Sequence, residues 1–278
     1  MKRTLLYSSL AIIACLGLYT RFWEPNWLEQ TTRRIPISRL ARPVRAVHLS
    51  DLHASPEVSP DLIDESFRMA IAAKPDVVLL TGDFVTTTTT FDRATLISQL
   101  KRLAQAVPTF AVLGNHDGGE WSLSCGDSDS TEALRSVLRE SGVVLLDNES
   151  RLIELNSQTV QLVGVGDLWS GEINPARAFA QAKPGVPTIL LSHNPDTKAQ
   201  LKRYEWDLML SGHTHGGQVV MPILGWSHVP MWDHRFTRGL NPWQGRWIHI
   251  TRGVGNVRGI RFNCRPEVSV LNLEPKAM

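Results

Sequence analysis

Five short clusters of metal-ligating or proton-carrying side chains stand in this sequence, each directly after an apolar run. Asp51-Leu52-His53 follows residues 44–50, Gly82-Asp83 follows 77–81, and Gly114-Asn115-His116-Asp117 follows 109–113. His193-Asn194 follows 188–192, and Gly212-His213-Thr214-His215-Gly216-Gly217 follows 208–211. Carboxylate and amide oxygens suit Mg or Mn, imidazole suits Zn or Fe, and a mixture of the two accommodates any of these. A pair of cations about 3.5–4 Å apart needs a shared anionic ligand to offset their repulsion, and Asp83 is the natural bridge. His213 and His215, one residue apart, can face both metals from one loop. No Gly-x-Ser-x-Gly motif and no cysteine beside these loops supplies a nucleophile.

Positioning these groups falls to the runs that precede them. A β-forming apolar run that ends in glycine and polar side chains reads as a buried strand delivering a loop to a pocket. In α/β sheets, chemistry collects at such C-terminal tips. Between the strands, helical spacing predicts helices over 60–73 with Ser59 as cap, over 92–106, and over 131–141 closed by Gly142. Strands are expected at 143–146, 152–155 and 160–165, with Asn156-Ser157-Gln158 as a hairpin-like turn, and short helices at 174–182 and 195–202. Closing strands fall at 247–251 and 268–273. Thr86 to Thr90 reads as a solvated loop near the pocket. One α/β domain over 44–275 results, preceded by a juxtamembrane linker over 23–43.

With 278 residues, 42% of them hydrophobic, the chain can bury a sizeable core. A formal net charge of +2 gives no electrostatic case for a specific nucleic-acid partner. Three cysteines make no zinc-finger spacing and no disulfide framework; Cys125 and Cys264 are the only pair an exported domain could bridge. Lys2 and Arg3 precede an uncharged apolar stretch over 4–19, and the aromatics Phe22, Trp23 and Trp27 follow. This pattern, over residues 1–22, predicts an uncleaved signal-anchor and association with a bacterial inner membrane. Arg33, Arg34, Arg39, Arg42 and Arg45 beyond it leave the orientation open.

The ordered set Asp51-x-His53, Gly82-Asp83, Gly114-Asn115-His116-Asp117, His193 and Gly212-His213-x-His215 resembles the five motifs of the calcineurin-like metallophosphoesterases. The resemblance extends over 44–273. It is strongest to the bacterial YaeI-type phosphodiesterase branch, through Asp167-Leu168-Trp169, His193-Asn194-Pro195-Asp196 and Thr251-Arg252-Gly253-Val254-Gly255. It implies an α/β sandwich of two mixed β-sheets flanked by helices. It also implies one divalent cation on Asp51, His53, Asp83 and His215 and a second on Asp83, Asn115, His193 and His213. His116 would stand beside the leaving group, with Asp117 orienting its imidazole. Where many members carry a second acid three residues after the bridging Asp, this chain has Thr86.

The expected reaction is hydrolysis of a phosphodiester or diphosphate by metal-activated water, with Mn, Fe, Zn or Mg as cofactors and a lipid-linked or envelope substrate. The family includes UDP-2,3-diacylglucosamine pyrophosphatases of lipid A biosynthesis, the specific alternative. A non-catalytic metal-binding scaffold is the alternative of another class; such a protein would lack a ligand or the histidine acid, and here every position is filled. Trp169, Trp226, Trp232, Arg235, Arg252, Arg258 and Arg261 fall in segments that could rim the pocket. His228, His234 and His249, without a strand tip, read as structural or exposed.

Overall fold

The apolar runs become strands buried on both faces, which explains why they lack the alternation of half-exposed strands. The structure, a computed structural model, describes residues 2–222, 229 and 231–276, with side chains from residue 7 onward. Trp226 and His228 lie outside the described residues. The first five strands are β1 (Glu29–Ile37), β2 (Val44–Leu49), β3 (Val77–Thr81), β4 (Thr109–Val112) and β5 (Val144–Leu145). Then come β6 (Glu149–Leu155), β7 (Gln158–Gly164), β8 (Thr188–Leu191), β9 (Leu208–Ser211), β10 (Gly239–Trp243), β11 (Arg246–Ile250) and β12 (Glu267–Pro275). One sheet has the order β1-β12-β2-β3-β4-β5 and the other β10-β11-β9-β8-β7-β6. Within each sheet the strands that carry the clusters run parallel, so their C-terminal tips point the same way.

The helices are α1 (Lys2–Leu18), α2 (Pro60–Ala72), α3 (Arg93–Ala106), α4 (Gly119–Ser124), α5 (Glu132–Ser141) and α6 (Pro175–Ala178). Between the sheets, Ala46, Leu79, Phe110 and Val112 meet Leu162, Ile189, Leu191 and Leu210. The alternate residues Val47, Leu49, Val78 and Leu80 pack outward on Phe67, Leu100, Leu103 and Leu134 of α2, α3 and α5. Each such side chain contributes about 1.5–3 kcal/mol on burial. Ser59 Oγ accepts from Asp61 N at 3.2 Å, Asp92 from Thr95 N at 3.1 Å, and Gly142 closes α5 at φ 79°. Asn156 and Ser157, both at positive φ, make the two-residue turn between β6 and β7. A polar pair crosses the inter-sheet layer: His48 Nδ1 lies 3.0 Å from His249 Nδ1, and His48 Nε2 lies 2.8 Å from Thr81 Oγ1.

The N-terminal expectations need correction. Residues 23–43 are not a linker: β1 pairs in parallel with β12 along its whole length and buries Ile35 and Ile37. Glu24 is also buried, one carboxylate oxygen accepting from Cys264 N at 2.5 Å. Among the described residues no helix is long and apolar enough to cross a membrane. The 17 residues of α1 rise only about 25 Å, short of a hydrocarbon core about 30 Å thick. The helix expected over 174–182 shrinks to α6, and that over 195–202 is a single 3-10 segment, Pro195–Ala199.

Candidate metal centre

At the strand tips the backbone folds back on itself. Asp51, His53, Asp83, His213 and His215 all have positive φ, between 47° and 68°. For residues with a Cβ this left-handed conformation costs about 1–2 kcal/mol each and is kept where the surroundings enforce it. Here Asp51 N donates to Gly82 O at 2.9 Å, His53 N to Asp83 O at 3.0 Å and Gly255 N to Asp51 O at 2.7 Å. Two glycines make room for the ligating atoms. A Cβ on Gly114 would overlap the Asp83 carboxylate, and one on Gly212 would overlap Ser50 and Asp51.

The side chains gather into two groups that share one oxygen. His53 Nε2 lies 3.5 Å from Asp83 Oδ2 and 3.1 Å from His215 Nε2, which is itself 3.5 Å from Asp51 Oδ1. Donor atoms of Asp51, His53, Asp83 and His215 all fall within 4.8 Å of one another. On the other side, His193 Nε2 lies 3.2 Å from Asp83 Oδ2 and 3.2 Å from Asn115 Oδ1. His213 Nδ1 stands 2.9 Å from the same Asn115 oxygen. The Thr81 carbonyl accepts from His193 Nδ1 at 2.6 Å, which leaves Nε2 as the nitrogen on the side of Asp83 and Asn115.

Divalent cations fit this set. Asp51 and Asp83 are buried, and no lysine or arginine among the described residues pairs with either. Burial, outweighing the pull of His193 and helped by the Asp83 charge, pushes the Asp51 carboxyl up to about 7. Asp83 moves the other way: against the effect of burial, His193 and His116 hold its carboxyl well below the usual range. Burial would lower His193, yet Asp83 raises it well above an ordinary histidine. Protons thus balance charges that a cation would balance better.

Asp117 makes contacts in this loop different from the one the resemblance implied. The Asp117 carboxylate accepts from Gly114 N and Phe84 N, each at 2.8 Å, and so clamps two site loops together rather than touching the imidazole. The His116 ring is held instead by the Thr86 carbonyl, which accepts from Nδ1 at 2.8 Å. Thr86 Oγ1 also lies 3.3 Å from His53 Nδ1. Thr86 thus meets His116 through its carbonyl and His53 through its hydroxyl.

A cavity of 720 Å³ opens over Asp83, Asn115, His116, His213 and His215. Trp169 and Arg258 line it, as does Trp121, which sequence reasoning missed. The other rim candidates among the described residues are elsewhere. Trp232 is 79% exposed outside the cavity, and exposed Arg235 pairs with Asp233 at 2.8 Å. Arg252 pairs with Glu29 and Glu267, and Arg261 is fully buried against the carbonyls of Arg252, Gly255 and Cys264. His234 is exposed, His249 buried. All three cysteines are free, with Cys125 exposed and Cys264 buried, so the Cys125–Cys264 bridge does not form.

Two sheets whose parallel strand tips converge on a buried carboxylate, amide and imidazole cluster define a metallophosphoesterase, and the model of the calcineurin-like phosphoesterase family matches residues 44–217. The chain belongs to that family. It is 37% identical over 256 residues to phosphodiesterase YaeI of Escherichia coli (strain K12), covering 92% of each chain. It is 28% identical over 318 residues to the UDP-2,3-diacylglucosamine pyrophosphatase LpxG of Chlamydia muridarum, covering 95% of each. Among solved structures, the 5′-nucleotidase precursor of Thermus thermophilus has the same fold, with a TM-score of 0.51 and 12% identity. That likeness covers 84% of this chain and 54% of the nucleotidase, so this chain spans about half of that protein.

Proposed function

We propose that this phosphoesterase hydrolyses a phosphodiester or diphosphate bond with two divalent cations. Asp51, His53, Asp83 and His215 would hold one, and Asp83, Asn115, His193 and His213 the other. The observation that carries the reading is Asp83 Oδ2, a single oxygen within 3.5 Å of His53 Nε2 and 3.2 Å of His193 Nε2. Divalent cations held there would supply charge neutralisation for phosphoryl oxygens and a more acidic water near neutral pH. His116 delivers a proton to the departing oxygen from Nε2, because Nδ1 is committed to the Thr86 carbonyl. Asp117 keeps the loop that carries His116 and Asn115 fixed to the loop after β3.

Elemental analysis paired with turnover of bis(p-nitrophenyl) phosphate tests this reading. Native protein should carry two cations per chain, and His53→Ala or His193→Ala one. His116→Ala should keep its metal while turnover of an ester with a poor leaving group falls about 10²-fold or more. Undiminished turnover of that ester would remove the proton-donor role. Metal without any turnover would favour the non-catalytic scaffold.

The substrate is read as membrane- or envelope-associated. Tyr7, Leu10, Ile12, Ile13, Leu16 and Leu18 leave α1 apolar and uncovered, with Phe22 and Trp23 exposed beyond it. A helix apolar around its whole circumference is one that lipid or another apolar surface covers. Arg21 Nη1 donates to Gly259 O at 3.1 Å and Arg261 N to Thr20 O at 3.0 Å, tying this helical segment to the 257–260 stretch that lines the cavity. The similarity to LpxG favours a second reading, cleavage of the UDP-2,3-diacylglucosamine diphosphate. Faster turnover of that lipid than of the bis-aryl ester, with flotation of the protein on vesicles, would support it.

A further inference from the structure

We infer that Trp121 and Trp169 form a binding wall for a planar ring, an aryl group or a nucleobase, carried by the phosphoester substrate next to His116. This rests on the hydrolytic reading of the site and adds to it the kind of group that the cavity selects. The two indoles come from opposite sheets, Trp121 from α4 after β4 and Trp169 from the loop after β7. Their ring centroids lie 6.1 Å apart with planes 30° from one another. Trp121 meets the His116 ring edge-on at 4.3 Å, and Trp169 meets His213 edge-on at 4.3 Å. The pair therefore spans from the proposed proton donor to a proposed metal ligand.

Two features separate this wall from core packing. Both indoles are only partly buried and line the cavity. The structural tryptophans Trp206 and Trp247 donate their indole N–H to the carbonyls of Leu201 and Pro36, whereas neither Trp121 nor Trp169 has such a bond among the described residues. Two ring donors and two π surfaces are left for a ligand. The wall is also built in advance. Asp167 Oδ1 accepts from Trp169 N at 2.7 Å and Ser170 N at 2.9 Å. Ser170 Oγ in turn donates to Gly118 O at 2.9 Å, and Glu120 N donates to Ser170 O at 3.3 Å. At Gly119, with φ 84°, a Cβ would collide with Ser170, so the close approach of the two loops depends on that glycine. Stacking on a preformed aromatic surface needs no reordering of the protein, which is where such a wall gains affinity.

Competitive inhibition of the metal-loaded full chain by phenylphosphonate, hexylphosphonate and methylphosphonate tests the wall. The phosphonate head is common to all three, and the phenyl and hexyl groups have equal carbon counts. Phenylphosphonate should bind about ten-fold or more tighter than either of the others, in line with the strength of ring stacking on aromatic side chains. Trp121→Leu and Trp169→Leu should each bring that ratio toward one, and the Phe variants should keep most of it. Equal inhibition by phenyl and hexyl would make the wall a general apolar surface and overturn the inference, as would an unchanged ratio in both Leu variants. Indole fluorescence of the unaltered protein, titrated with the same phosphonates, gives a readout independent of variant folding and of turnover. A ring preference there without any hydrolysis would sink the hydrolytic reading alone; hydrolysis without ring preference would sink the wall alone.

Discussion

Acidification from pH 7.5 to 5 should destabilise the native protein more than a variant in which His249 is replaced by asparagine. His249 is fully buried between the sheets, its Nδ1 3.0 Å from that of His48. Burial, opposed by the Glu267 charge and assisted by Arg33, lowers it from 6.5 to about 4. With the folded value depressed, the unfolded chain takes the proton first. The stability that depends on the neutral ring is therefore complete above pH 6.5 and lost as the pH falls toward 4. From those two values, His249 alone removes about 2 kcal/mol by pH 5. His48, lowered by burial and by His249, adds to the loss with the same sign. Asparagine places a polar atom near the former Nδ1 and does not titrate. Urea midpoints of both metal-free proteins at the two pH values give the difference, in which the titration of the metal-site histidines and carboxylates cancels. Equal losses in the two proteins would refute the reasoning.

Three other outcomes follow from the site. Gly212→Ala should force Ser50 and Asp51 aside, lowering stability by about 1–3 kcal/mol and the metal content with it; full metal occupancy by elemental analysis would contradict this. Thr86→Val removes the hydroxyl 3.3 Å from His53 Nδ1 and should weaken Mn binding about ten-fold or more by calorimetric titration, since partners on the far nitrogen orient ligating histidines. Asp117→Asn should turn an amide N–H toward Gly114 N or Phe84 N and lower stability by about 1–3 kcal/mol, read from thermal melts. An unchanged melt with reduced turnover would return Asp117 to a role at His116.

The parts of this fold legible in the sequence are those where residue type and conformation are tightly coupled. β3, β4, β8 and β9 are buried on both faces and so appear as apolar runs, β2 does so but for exposed Arg45 and buried His48, and Ser59, Asp92 and Gly142 mark helix ends by their side chains or lack of one. β1 leaves little trace because it is an edge strand: Glu29 to Arg34 stay solvated or half-solvated, only Ile35 and Ile37 are buried, and Pro36 sits where no sheet partner needs its amide. β10, an edge strand of the other sheet that contains Pro242, is hidden for the same reason. At the site, side-chain donors could be read but backbone acceptors could not. Thr86 orients His116 through its carbonyl, which every residue possesses, so no residue type announced it. The hold of Asp117 on Gly114 N and Phe84 N is hidden for the same reason, since sequence position says nothing about which amides a carboxylate meets.

The positive-φ turns and the glycine contacts answer one geometric demand, that side chains from five loops meet around a single oxygen. An extended residue at a strand tip would carry its side chain onward past the sheet, whereas a left-handed turn brings it back over the end. The two donor groups meet this demand unequally. Asp51, His53 and Asp83 leave β2 and β3 of one sheet, and only His215 joins them from the other. Asp83 and Asn115 come from the first sheet, but His193 and His213 both come from the second, so the second group exists only while the sheets keep their register. Hydrogen bonds across that boundary hold it: His193 Nδ1 to Thr81 O at 2.6 Å, His213 N to Asp51 Oδ1 at 3.0 Å, and the His48–His249 pair. The inter-sheet polar layer is thus part of the metal centre's support, and a loosened sheet contact bears first on the side of Asp83 where His193 and His213 stand.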